Sequence, residues 1–170
     1  MAEQRRINYA AVIYYILAFL VSFAITYTTL IPIRIANATP MPIIALVIAY
    51  SYFYGETNGF TVGLIVGIFA DGVAADTVGF NAIMLAVIGM LAGASVKKYL
   101  NKNIYSAVFL SVIGSGVYHF AKWLVFYAFS GIQGIGNYLM MYILPSAVYS
   151  ALFIIPFYFL GKLFIKKKEI

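Results

Sequence analysis

GFTVGLIVGIFADGVAADTVGFNAIM, residues 59–84, is apolar enough to lie in a bilayer, yet it carries Asp71 and Asp76. Gly59, Gly63 and Gly67 recur every four residues, and Asp71 is the next step. Residues four apart share one helix face, drifting about 40° per step. Glycines on one face let a second backbone approach closely. The spacing therefore predicts a helix-packing face that Asp71 extends, turned away from lipid. Gly89 and Gly93 repeat the four-residue step and predict a matching face on the following helix.

The rest of the chain agrees with a membrane setting. Of its 170 residues, 64% are hydrophobic and 9% charged, with a mean hydropathy of +0.97. Soluble domains are about 45–50% apolar and about 25% charged. A spanning helix needs about 20 residues, so the length admits at most six or seven. The apolar runs predict an all-α protein with a single polytopic membrane domain, 1–170. Its six transmembrane helices are expected at about 9–31, 43–54, 59–75, 80–96, 104–130 and 139–161. The segments IPIRIANATPMP, GETN, DTVG, KKYLNKN and GIQGIGNY read as the loops between them. The first run shows no small-residue cleavage site and reads as a retained helix. No cysteine is present, which excludes disulfides, thiol nucleophiles and thiolate metal sites.

Basic residues predict the orientation. Arg5, Arg6, Lys97, Lys98, Lys102, Lys162, Lys166, Lys167 and Lys168 fall on one side of a six-span layout. Arg34 lies in the opposite loop and Lys122 within the fifth run. The positive-inside rule makes the lysine-rich side, and with it both termini, cytoplasmic. The net charge of +6 is thus read as topology and contact with membrane lipid, and no nucleic acid is expected as a partner.

Few residues remain for chemistry. Ser111, Ser115, His119 and Lys122 form one polar stripe on the fifth helix. Asp71 and Lys122 share a depth and carry opposite charges, so they form a candidate buried pair with His119 one turn deeper. The competing expectation is that Lys122 snorkels to the interface beside Trp123 and Tyr127. Asp76 is expected to cap the fourth helix and Glu56 the third. His119 has no second histidine beside it, so no metal ligand set is predicted. Asp71 and Asp76 diverge by about 140° on a continuous helix and do not make an aspartyl dyad. VAAD bears a faint likeness to signal peptidase II, but the asparagine and arginine that accompany that family's aspartates are missing. No catalytic residue and no cofactor are expected.

The segment from TPMPIIALVIAYSYFYG into GFTVGLIVGIFADGVAADTVGFNAIMLAVIGMLAG, about residues 40–94, resembles the rod shape-determining protein MreD family. The likeness lies in a G-F-x-x-G-L-x-x-G-x-x-x-D core, here Gly59, Phe60, Gly63, Leu64, Gly67 and Asp71. A turn with Gly79 and a span with Gly89 and Gly93 follow. The resemblance implies a non-enzymatic inner-membrane component of the bacterial cell-elongation machinery (elongasome), which supports peptidoglycan synthesis and cell shape. Its implied partners are the bitopic protein MreC, the glycan polymerase RodA with its transpeptidase, and MreB filaments. The family is similar in helix layout to the substrate-binding subunits of energy-coupling-factor vitamin transporters, which makes such a subunit the alternative function. Those subunits dock their coupling partner through an alanine-x-x-x-alanine step in helix 1, where this chain has Ala18 and Ser22. A channel is a third option, and no repeated charged ring supports it.

Overall fold

A short turn at a single glycine sets the geometry of the chain's centre. In the computed structural model Gly55 has φ 89° and ψ −179°, a conformation open essentially to glycine alone. It reverses the chain between helix α2, Pro42–Tyr54, and helix α3, Glu56–Val73. The expected GETN loop is thus one residue long, and Glu56, Thr57 and Asn58 are already helical. The structure describes residues 9–27, 40–74, 79–128 and 144–166.

The remaining helices are α1, Tyr9–Tyr27; α4, Phe80–Lys98; α5, Ile104–Trp123; α6, Leu144–Leu152; and α7, Ile154–Lys166. The described residues contain no strand. α4 runs through Lys97 and Lys98, so the loop KKYLNKN begins only at Tyr99. α5 widens into a π-helical turn at Leu124–Ala128. The sixth expected helix is two, α6 and α7, separated at Phe153, with Pro156 early in the second. Proline lacks the N–H that a continuous helix would need there.

Four helical stretches are long and apolar enough to cross a membrane: Tyr9–Tyr27, Phe80–Lys98, Ile104–Phe126 and Leu144–Leu163. Together they mark a helical membrane protein. α2 is different in kind. Its 13 residues reach about 20 Å, short of a hydrocarbon core of about 30 Å. Every residue from Pro42 to Ala49 is buried, and α2 touches all six other helices. It is the axis around which the bundle is built. α1 lies at the rim, with only Ala11, Ala18 and Ser22 buried.

Helix ends in this bundle are tied by neighbours. Pro42 opens α2 at a position where its missing N–H is no loss. The Met41 N–H donates to Ser150 Oγ on α6 at 2.9 Å. At the other end of the bundle, Asn103 and Ser106 form a capping box at the start of α5. The buried Tyr52 hydroxyl donates to the Asn103 carbonyl at 2.9 Å, which pins that turn to α2.

Candidate functional site at the α3–α4 joint

The most extensive helix contact is α3 against α4, and glycines line it from end to end. A Cβ placed on Gly59 would lie 2.6 Å from the Gly89 carbonyl oxygen and 2.7 Å from Ser51 Cβ of α2. One on Gly63 would lie 2.6 Å from the Leu85 carbonyl carbon, and one on Gly67 2.6 Å from the Ala82 nitrogen. From the other side, a Cβ on Gly89 would meet Gly59, and one on Gly93 would come within 2.6 Å of the Gly55 carbonyl carbon. Apart from Ser51 Cβ, these contacts are with backbone, which has no rotamer to turn aside. Antiparallel packing this close needs glycine at each of these steps.

Asp71 completes the same face. Its two carboxylate oxygens accept from the Asn81 N–H at 3.1 Å and the Ala82 N–H at 2.9 Å. Those are the second and third residues of α4, whose N–H groups have no partner within their own helix. The carboxylate also sits at the positive end of the α4 dipole. Asp71 therefore caps α4 from the neighbouring helix. Gly79, the residue at the N-cap position itself, is left-handed with φ 81° and offers no side chain.

The expected Asp71–Lys122 pair is not formed. Among the described residues Lys122 makes no ion pair, while the Asp71 carboxylate is engaged by α4. Two amide donors at a helix start outcompete a side chain on α5 because the connection from Asp71 to α4 is short and brings them there without ordering a flexible lysine. Lys122 is half-buried in the last turn of α5. Asp76, the expected cap of α4, lies outside the described residues; among those described, Asp71 caps that end. Glu56 does not cap α3: no side chain caps that end, where Gly55 is the N-cap residue. Glu56 reaches instead to Lys97 at 3.0 Å, joining the start of α3 to the last turn of α4.

The polar stripe of α5 faces α6. Ser111 Oγ donates to the Ala151 carbonyl at 3.2 Å and Ser115 Oγ to the Ala147 carbonyl at 2.8 Å. His119 is buried, and its Nδ1 lies 2.8 Å from the Ser115 carbonyl. Among the described residues no group of histidine, aspartate and glutamate side chains comes together as a metal site. No family model, curated protein or solved structure matches this chain. The joint is thus read from its own geometry.

Sequence reasoning passed over Asn81, Tyr118 and the serines of α6. Asn81 is fully buried, and its Oδ1 accepts from the equally buried Tyr118 hydroxyl, tying α4 to α5. Tyr118 is one tyrosine among 15, so nothing in composition singles it out. Ser146 and Ser150 do carry a signal: with Ala147 and Ala151 they make two small-x-x-x-small steps. Ala18 and Ser22 of α1 are both buried and turned into the bundle.

Taken together, the motif residues bring two backbones into contact and fix the helix start beside them. The arrangement positions helices.

Proposed function

We propose that this chain is a six-span protein of the bacterial inner membrane that supports cell elongation without catalysing a reaction, in the manner of the MreD family. In this reading both termini are cytoplasmic. The protein serves peptidoglycan synthesis and cell shape by binding an MreC-like bitopic protein, and through it meets RodA, its transpeptidase and MreB filaments. The observation that carries the reading is the motif from Gly59 to Asp71. Its residues work as one unit, with Gly59, Gly63 and Gly67 against α4 and Asp71 on the α4 amides. A rigid hairpin of this kind suits a protein whose task is to hold a shape for a partner. The inward setting of Ala18 and Ser22 weighs against the transporter-subunit alternative, which needs that step on an outer face.

Depletion in a rod-shaped host tests the reading. Rounded or widened cells, with an MreC-like protein co-purifying in mild detergent, are the expected result. Normal width with a specific vitamin auxotrophy, and transporter ATPases in the eluate, would replace it with the transporter subunit. Orientation is tested separately by impermeant maleimide on intact cells. Asn37→Cys and Asn137→Cys should label and Asn101→Cys should not.

A further inference from the structure

The far end of α5 carries two nitrogen donors with no acceptor among the described residues. Lys122 is half-buried there, and among the described residues it makes no ion pair. Asp71, the carboxylate at that end of the bundle among the described residues, is engaged by the α4 amides. The next residue, Trp123, has its indole Nε1 buried without a hydrogen-bond partner. Its ring stacks on Phe120, centroid to centroid 5.7 Å, and Phe120 is exposed on the bundle surface.

An ammonium group held at a helix end in a membrane is costly without a counter-charge. A buried N–H without an acceptor adds to that cost. An anionic oxygen from outside the chain supplies the counter-charge that half-buried Lys122 lacks among the described residues, while the Trp123 Nε1 is buried beyond its reach. Tryptophan is enriched at the membrane–water interface, where lipid phosphates lie, and Trp123 is the residue next to Lys122. Lysine is a compact point charge suited to phosphate oxygens.

We propose that the end of α5 is a phosphate-binding site, with Lys122 as the contacting group and the Trp123–Phe120 stack setting its depth. The phosphate is a lipid phosphodiester or a free phosphate ion. The site is distinct from the lysines of the opposite end, where Lys97 is already paired with Glu56 and Lys98 and Lys102 are exposed. It does not depend on the function proposed above.

Native mass spectrometry of the purified protein tests it, with phosphatidylglycerol, phosphatidylcholine and inorganic phosphate as separate probes. Lys122→Met should weaken phosphate-dependent binding by about tenfold, in keeping with the loss of one charge-assisted hydrogen bond. Lys122→Arg should retain it, and Lys98→Met should change it far less. Lys122-dependent binding of the lipids alone assigns the site to a headgroup, and of inorganic phosphate alone to a soluble anion. Equal affinities of wild type and Lys122→Met for all three probes would overturn the proposal. If Lys122→Met does not fold, the wild-type protein decides. A phosphatidylglycerol with a photoreactive headgroup should label the peptide around Trp123, and labelling confined to residues 97–102 would refute the site.

Discussion

The α3–α4 and α5–α6 joints hold antiparallel helices together by opposite means. At α3–α4 the side chains are removed, and backbone meets backbone at Gly59, Gly63, Gly67, Gly89 and Gly93. At α5–α6 small side chains remain, and Ser111 and Ser115 donate across the gap to the Ala151 and Ala147 carbonyls. The first joint gains close dispersion contact and tolerates no added atom. The second gains hydroxyl–carbonyl hydrogen bonds, each of them an increment. Within a bilayer, where burial of apolar surface gives no driving force between helices, these are two of the main sources of cohesion available. The difference predicts that the joints fail differently: the glycine joint by steric intrusion, in large steps, and the serine joint by small losses.

The largest effects should come from Gly63→Leu and Gly67→Leu. A branched side chain at either position meets the Leu85 or Ala82 backbone, which can yield only by moving α4. Overpacking of a close interior costs about 1–3 kcal/mol even where side chains can adjust. These two variants should reach or exceed the top of that range. Lower steady-state level and a lower unfolding temperature in detergent are expected. Wild-type behaviour of both would mean that α3 and α4 do not touch along this face.

Asp71 comes next. Asp71→Ala leaves the Asn81 and Ala82 N–H groups without their acceptor, at about 1–3 kcal/mol for a buried group left unsatisfied. Asp71→Asn keeps one acceptor oxygen and loses the charge at the α4 dipole, so it should fall between alanine and wild type. Because Lys122 stands apart from this cap, the double variant Asp71→Asn, Lys122→Met should show the sum of the single effects, within about 0.5 kcal/mol. A rescue of Asp71→Asn by Lys122→Met would restore the ion pair that the structure lacks.

These two predictions mark how far the sequence could be read. The four-residue glycine step is a backbone property and survives translation into structure, because nothing but a neighbouring backbone explains it. The destination of a carboxylate is not so constrained. Asp71 was open to Lys122 at matching depth, whereas the α4 amides that took it are present in every helix and leave no mark in sequence. Glu56 departs from the expected cap for a related reason. The turn before α3 is a single glycine at φ 89°, so the helix starts at Glu56 and the side chain is free to reach Lys97. The break at Phe153 was legible only in hindsight, from Pro156 two residues into α7. Bundle order was not legible at all: no periodicity announces that the shortest of the expected spans, α2, is the buried axis.

Smaller changes belong to the serine joint. Ser115→Ala removes one hydroxyl–carbonyl bond, and hydrogen bonds between membrane helices average about 0.6 kcal/mol. The Ala147 carbonyl is an acceptor within its own helix, so its loss leaves no orphan. Ser111→Ala should do less, since its 3.2 Å bond is longer than the 2.8 Å bond of Ser115. The pair should lower the unfolding temperature by a small sum of the two and leave protein level unchanged. A collapse as severe as that of Gly67→Leu would place the serines in the same class as the glycines and erase the contrast.

The last expected effect carries the opposite sign. Gly114 and Gly116 lie two residues apart on α5, and their surroundings differ. A Cβ on Gly114 would come 2.6 Å from Ile48 Cδ1, the end of a side chain that can shift, and 3.2 Å from the Ile88 Cγ2 methyl. A Cβ on Gly116 would meet nothing within 4 Å, and its helix is regular there. With no steric term, only backbone entropy and propensity remain, and alanine exceeds glycine in a helix interior by about 0.5–1 kcal/mol. Gly116→Ala should therefore raise the unfolding temperature slightly. Gly114→Ala should be near neutral, as the same gain is offset by moving Ile48. Gly67→Ala should be destabilising despite the same propensity gain, because its Cβ would meet the Ala82 backbone. Three identical substitutions would then give three signs, ordered by what each new methyl meets. If Gly116→Ala instead abolished function with the fold intact, its open notch would be occupied by another helix in the cell. The glycine rule of the α3–α4 joint would then extend to the outer surface of the bundle.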